Sequence, residues 1–257
     1  MVSGLRTRAS SRAIVVGQLD PALTGSAQRV FLHIIGSGRS DSGFGVAVQA
    51  NGDVIAAGDC WEAIPVTPGA YLTVHPGVGS PEGFVLKLTA DGASIRYATY
   101  LGLNGFVFPS NPLVSADGTV TIVGHTSFAN MALTPGAIDS IHGGFYEGFV
   151  MQLSPSLAQL QYATYIGGNA DEYSYSRSAH MTGSVLTMVF DTPSSDLPVV
   201  RAFQGRQNNW DTYLIRLDLT NLGLASAPRD VELLDLDGDG DLASRPPTKL
   251  RATSACA

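Results

Sequence analysis

The chain has 257 residues, enough to bury a sizeable core, and 44% of them are hydrophobic, 14% charged and 29 are glycine. That balance excludes a disordered chain and a mainly helical one, and favours short strands joined by tight turns. A net charge of −7 without any cluster of Lys and Arg excludes nucleic acid as a partner.

Two cysteines, Cys60 and Cys256, stand far apart, which excludes a disulfide framework and a Cys-rich zinc site. Cys60 is expected to be buried near a strand end and Cys256 to lie in a tail. No apolar run reaches the length of a membrane helix, so no membrane span is expected. At the N-terminus Arg6, Arg8 and Arg12 precede only Ala13 to Val16 as an apolar stretch, too short for a signal-peptide core. The protein is then either cytoplasmic, or its export signal was removed before this sequence begins.

In chain order, Ala13 to Leu19 and Phe31 to Gly36 read as two strands. Phe44 to Val48 and Val54 to Gly58 flank Asn51-Gly52, a dipeptide that accepts positive φ at both turn positions and so predicts a type I′ hairpin. A loop held out of helix and strand by Pro65 and Pro68 follows. Phe84 to Leu88, the turn Asp91-Gly92 and Ile95 to Leu101 complete four strands. In the last of these Tyr97, Thr99 and Leu101 share one face, and Ala98 and Tyr100 the other.

The pattern then repeats. Tyr97-Ala-Thr-Tyr-Leu-Gly102 recurs as Tyr162-Ala-Thr-Tyr-Ile-Gly167, and Glu82-Gly-Phe-Val-Leu-Lys-Leu88 as Glu147-Gly-Phe-Val-Met-Gln-Leu153. A third copy of the latter is Asp211-Thr-Tyr-Leu-Ile-Arg-Leu217. Thr67-Pro-Gly-Ala70 returns as Thr134-Pro-Gly-Ala137, and Asn51-Gly52, Asp117-Gly118 and Thr182-Gly183 keep the same step of about sixty-five residues. Four antiparallel strands per unit, repeated, predict an all-β, β-propeller-like fold of three to four sequential four-stranded blades. The repeat domain spans 12–238, with a half unit at 12–38 and fuller units at 41–102, 103–168 and 169–238, the last closing on a strand from Val231 to Leu234. Residues 239–257 form the end of an acidic loop and a tail expected to be disordered. Propellers usually close with about four to eight blades, so part of a larger propeller, or one completed by another chain, is expected.

The order of motifs resembles the bacterial β-propeller repeat family known as SBBP repeats. The likeness rests on Pro65-Val-Thr-Pro-Gly-Ala-Tyr71, the Glu82 and Glu147 strands and the Tyr-Ala-Thr-Tyr strands, and covers about residues 12–217. The resemblance implies a propeller in an exported or cell-surface protein, and carries no catalytic signature. Two departures stand out: Gly102 is followed by no acid, although Asp41 and Asp171 follow the corresponding glycines, and the third unit lacks a clean Pro-Gly-Ala loop. The repeated tyrosines are expected to pack sheet against sheet.

His33, His75, His125, His142 and His180 show no ligand spacing, and hydrogen-bonded structural roles are expected. Gly36 to Gly43 contains no G-x-S-x-G elbow. Asp41, Asp171, Glu172 and Glu82 fall at blade ends, where they either accept backbone N–H bonds or gather as the carboxylates of a carbohydrate-active enzyme, a glycoside hydrolase or lyase. Asp235-Leu-Asp-Gly-Asp-Gly-Asp241 sets Asp235, Asp237, Asp239 and Asp241 at the alternate positions from which oxygens wrap calcium. Pro246 stands where an EF-hand has its Glu and Ala243 where a related loop has a further Asp, so the alternative is a solvated acidic linker. The function expected from the sequence is a non-catalytic extracellular or cell-surface module that binds or scaffolds a protein or carbohydrate, with the enzyme as the alternative.

Overall fold

A computed structural model describes residues 12–36, 39–75, 79–103, 105–174, 178–197 and 210–220. The fold is all-β. A two-stranded sheet, β1 (Ile14–Leu19) with β2 (Arg29–Ile35), precedes a four-stranded antiparallel meander of β3 (Ser42–Val48), β4 (Val54–Cys60), β5 (Glu82–Leu88) and β6 (Ile95–Tyr100). A second meander follows the same order, with its first strand split into β7 (Val107–Pro109) and β8 (Leu113–Val114) ahead of β9 (Val120–Thr126), β10 (Glu147–Leu153) and β11 (Leu160–Ile166). Pro109 and Pro112 flank that break, as expected of residues that cannot donate to a ladder. A third sheet pairs β12 (Ala179–Thr182), β13 (Val185–Thr192) and β14 (Asp211–Asp218). The expected strand Val231 to Leu234 lies outside the described residues. Among these residues no helix is long and apolar enough to cross a membrane.

Three apolar clusters fill the spaces between successive sheets. Ile14, Val16, Phe31 and Ile35 of the first hairpin meet Phe84, Leu86 and Leu88 of β5. The opposite face of the same sheet, through Ile55, Ala57 and Val85, meets Ile122, Phe149 and Met151. Val123 and Val150 then meet Leu186, Met188 and Ile215 of the third sheet. Central strands are thereby covered on both sides, and β4, β5 and β10 are buried along their whole length. The repeated tyrosines obey the alternation read from the sequence. Ala98 and Tyr100 join the cluster towards the first hairpin, whereas Tyr97 and Leu101 face the next sheet. In the second copy Ala163 and Tyr165 face back and Tyr162 and Ile166 face forward.

The two repeated motifs turn out to be each other's partners. The Thr67 N–H donates to the Ala98 carbonyl (3.1 Å), and the Ala98 N–H donates to Thr67 Oγ1 (3.1 Å). Thr134 and Ala163 repeat the exchange at 3.3 and 3.0 Å. Thr99 Oγ1 accepts the Leu72 N–H (2.8 Å), as Thr164 Oγ1 accepts that of Ile138 (2.9 Å). Tyr100 Oη accepts the Ile64 N–H (2.9 Å) and donates to the Ile64 carbonyl (3.1 Å). Tyr165 Oη accepts from Met131 N–H (2.9 Å) and donates to the Phe128 carbonyl (2.6 Å). The loop thus covers the outer edge of its own sheet, the edge that would otherwise invite another strand.

The turns correct the type I′ expectation. Gly52 and Gly118 lie at φ +87° and +88°, but Asn51 and Asp117 do not share the positive φ. The Gly52 N–H donates to the Gln49 carbonyl and the Gln49 N–H to that of Asp53, which makes a three-residue loop ending in a glycine bulge. Asn51 Oδ1 accepts the Asp53 N–H (3.1 Å) and Asp117 Oδ1 the Thr119 N–H (2.9 Å), and these local bonds hold the Asx residue in place without positive φ.

One turn departs from its repeat. Gly92 (φ +66°) and Leu157 (φ +57°) hold equivalent positions, closed by N–H bonds to the Thr89 and Ser154 carbonyls. A Cβ on Gly92 would collide with the Phe31 ring, 2.1 Å away, whereas Leu157 is fully buried among the residues between the two meanders. Leu157→Ala removes this packing, at a cost of about 2–5 kcal/mol, and keeps the left-handed strain. Leu157→Gly loses the same packing but relieves about 1–2 kcal/mol of strain. The glycine variant is therefore expected to unfold at no lower urea concentration than the alanine variant, the reverse of their order in ordinary strand positions.

Candidate functional site

The C-terminal ends of β4, β9 and β13 and the N-terminal ends of β5, β10 and β14 lie at one end of their sheets, as the antiparallel registers require. Here a continuous group of rings forms. Phe108, cross-strand partner of His125, lies 5.0 Å from its ring and 6.0 Å from Phe106, with which it stacks. His125 stands edge-on to Tyr146 (5.3 Å) and to Tyr173 (5.3 Å), and Tyr146 and Tyr173 meet at 5.1 Å. Phe44 reaches Phe108 at 6.4 Å from a bulge in β3, where the register slips between Gly43 and Gly45. At the outer limit Tyr173 touches Trp210 (5.5 Å) and Tyr146 touches Phe145 (4.8 Å), and those two rings are 54% and 61% exposed. Burial pushes His125 down to about 4, so its imidazole is neutral at physiological pH, and its Nδ1 lies 3.0 Å from the Ser174 carbonyl oxygen and 3.2 Å from the Ser174 backbone nitrogen.

Buried acids back this aromatic ledge. Glu147 and Glu172 are fully buried, and an oxygen of each, Glu147 Oε1 and Glu172 Oε2, lies over the Cα of Gly167, where any side chain would collide with both. The outer oxygens are satisfied. Glu147 Oε2 accepts the Gly143 N–H (2.6 Å), and Glu172 Oε1 accepts Ser194 Oγ (2.5 Å), Thr192 Oγ1 (2.8 Å) and the Gly168 N–H (3.3 Å). As two carboxylates the inner oxygens have no donor; a proton held on Glu147 supplies one. Burial raises both groups, and the charge of Glu172 raises Glu147 further. In the first meander Glu82 takes the place of Glu147 without an acid opposite, since Gly102 is followed by none, and both its oxygens lack a hydrogen bond. Burial lifts Glu82 to about 8, only partly offset by the Gly102 and Gly83 N–H dipoles nearby, neither of which closes to a hydrogen bond. Asp59 rises to about 6 by burial, with the Asp41 charge adding to it.

The acids singled out by sequence divide between these roles. Asp41 Oδ1 accepts the Trp61 N–H (3.2 Å); Asp171 Oδ1 accepts the Phe145 (2.6 Å) and Tyr146 (3.2 Å) N–H groups, and the Tyr173 hydroxyl donates to Oδ2 (3.3 Å). Both accept backbone N–H groups, but not from the turns entering their own first strands: Asp41 holds the residue after β4, and Asp171 grips the loop of the preceding sheet. The histidines are structural too. His75 stands edge-on to Tyr100 (5.4 Å) with Nε2 3.4 Å from the Cys60 carbonyl, and His142 repeats this with Tyr165 (5.3 Å) and the Thr126 carbonyl (3.1 Å). His33 Nδ1 lies 3.2 Å from the Gly92 carbonyl. Cys60 is buried at the end of β4, as expected, and burial raises its thiol far above the reactive range. Asp235, Asp237, Asp239 and Asp241 lie outside the described residues, so calcium there stands on their spacing alone. Among the described residues no three His, Cys, Asp or Glu side chains converge as a metal site would require.

Sequence reasoning missed Glu147 and the aromatic ledge. A signal for Glu147 existed: an acid opens two otherwise apolar strands at the same point of the repeat. No protein-family model matches the chain, and no curated protein matches it either.

Glu82 yields a signed prediction. Its folded form keeps a proton from the ordinary value of 4.5 up to about 8, while the unfolded chain loses it. Over that window the folded state binds more protons, so stability falls as pH rises, by at most about 1.4 kcal/mol per pH unit for this group. Glu82→Gln carries no such proton. Its melting temperature relative to the parent is expected to climb steadily between those pH values, and parallel curves would show that Glu82 ionises freely in the fold.

Proposed function

We propose that this chain is a non-catalytic binding and scaffolding module, built of propeller-type blades and acting outside the cell or on its surface, whose binding face is the aromatic ledge around His125. The observation that carries the reading is the run of rings from Phe108 through His125, Tyr146 and Tyr173 to the exposed Trp210. Flat, half-exposed rings held rigidly by their neighbours suit stacking against the apolar face of a sugar, with Tyr hydroxyls at hand for its polar groups. The acids behind the ledge serve the fold: Glu82, Glu147 and Glu172 are wholly buried, and Asp171 is occupied by two N–H groups and a hydroxyl. A glycoside hydrolase needs carboxyls that reach its substrate from both sides, and this arrangement favours binding over hydrolysis.

Three further points support the blade architecture and the scaffolding role. The sheets follow one another as meanders, each sharing a core with the next. The motifs resemble SBBP repeats, whose members look like parts of exported proteins. The outer face of the first hairpin exposes Val15, Leu19, Val30, Leu32 and Ile34, an apolar sheet face that continues the stack and fits another sheet of the same kind, as the rest of a larger propeller would supply.

Titrating the protein with soluble oligosaccharides while following tryptophan fluorescence, and assaying for new reducing ends, tests the reading. The expected result is quenching that Trp61→Phe retains and Trp210→Ala weakens about tenfold or more, with no sugar released. Release of reducing ends that Asp171→Ala abolishes would establish the enzyme instead.

A further inference from the structure

At the opposite end of the sheets the turns of the two meanders enclose a cleft of about 680 Å³, within the usual size range of small-molecule sites. Its floor is Lys87, the last but one residue of β5, which is only 3% exposed. Its ammonium lies 5.7 Å from the centre of the Tyr97 ring and donates one hydrogen bond, to the Pro155 carbonyl at 2.7 Å. No other acceptor meets its two remaining N–H bonds among the described residues. The neighbouring charges are already engaged. Arg96 pairs with Asp53 at 3.1 Å, and Asp117 accepts both the N–H and the hydroxyl of Thr119.

The adjoining sheet shows that the fold does not require these charges. At the repeat positions of Asp53, Lys87 and Arg96 it carries Thr119, Gln152 and Gln161. There Gln152 Nε2 donates to Thr121 Oγ1 (3.0 Å), and neutral Gln161 stands where Arg96 is charged. A buried cation with spare donors is costly unless something completes its shell.

We propose that this cleft binds a small hydroxylated carboxylate, of the sugar-acid class, with its carboxylate on the Lys87 ammonium. A single negative charge fits one spare cation. Asp117 and Asp53 line the same cleft, which disfavours compact multivalent anions, yet their free lone pairs, with Ser115 and Ser156, can accept or donate to ligand hydroxyls. Tyr97 supplies an apolar wall.

The test is calorimetry of the full chain with glucuronate, glucose and inorganic phosphate. Glucuronate is expected to bind with a dissociation constant in the millimolar range, and glucose and phosphate at least about tenfold more weakly. Lys87→Gln, the residue the adjoining sheet tolerates at that place, is expected to weaken glucuronate at least about tenfold. Ala116→Trp, which fills the cleft's exposed rim without touching the core, is expected to do the same with an unchanged melting temperature. Trp210→Ala should leave glucuronate binding intact, so failure at either end is read separately. No heat with glucuronate up to tens of millimolar, or undiminished binding in both cleft variants, would overturn the proposal.

Discussion

The fold depends on how each sheet's outermost strand is closed off. A meander leaves one strand with a bare row of N–H and C=O groups, and a chain of stacked meanders would present such a row at every unit. Here the Thr-Pro-Gly-Ala loop is laid along that strand, through Thr67 on Ala98 and Thr134 on Ala163. Proline and glycine place the threonine, and the strand's own Thr and second Tyr answer with side-chain bonds to the loop backbone. Neither motif has a partner without the other, which is why the two recur together. Each buried Tyr hydroxyl is satisfied in the same contact, so an aromatic ring fills the core without stranding a polar atom.

With the edge closed by a loop, both faces of the central strands are free to be buried. The sheets stack through clusters that alternate along each strand, and residues such as Val85 and Leu86, adjacent in sequence, serve different interfaces. A consequence is that any polar residue on a central strand is forced towards a strand end, where a loop can reach it. Glu82 and Glu147 open their strands, Lys87 and Gln152 stand next to the last position, and the apolar residues lie between. The chemistry of the described residues is thus sorted to two ends: aromatic rings and buried acids at one, the Lys87 ammonium at the other.

Much of this was legible in the sequence. The strands read between Ala13 and Leu101 fall within two residues of the observed ones, and the alternation there put Tyr97 and Leu101 on one face and Ala98 and Tyr100 on the other. The turns were misread because Asn-Gly and Asp-Gly have two solutions, and the choice falls to local bonds such as Asn51 Oδ1 with the Asp53 N–H, which composition does not reveal. Leu157 at positive φ was invisible for a similar reason: its burial between two sheets outweighs a backbone preference that a single sequence suggests. The aromatic ledge was hidden although several of its rings recur: Phe44, Phe108 and Tyr173 follow the repeat step, as do Tyr146 and Trp210, but the ring type varies at each position and Pro81 replaces the ring in the first unit. Phe108 comes from a broken first strand, Tyr146 from the loop before β10, Tyr173 from the approach to the third sheet and Trp210 from the residue before β14.

That contrast suggests where function sits in a repeated chain. Residues that recur are those every unit needs to fold, and the clamp and the strand-opening acids are of this kind. A site that meets a ligand is asymmetric, and it arises where one unit departs from the pattern. The Lys87 cleft follows this rule, and the ledge follows it in part, through His125 and Phe106, while its other rings stand at repeated positions. The split of β7 from β8 accompanies the Phe106 and Phe108 rings beside His125, where the first meander has Asp59 at the position of that histidine. The exchange of Thr119, Gln152 and Gln161 for Asp53, Lys87 and Arg96 sets three charged side chains where the next unit has neutral ones, on the same backbone plan. Because the plan tolerates either set, the charged one is free to be chosen for what it contacts, and among the described residues Lys87 is buried against a single carbonyl.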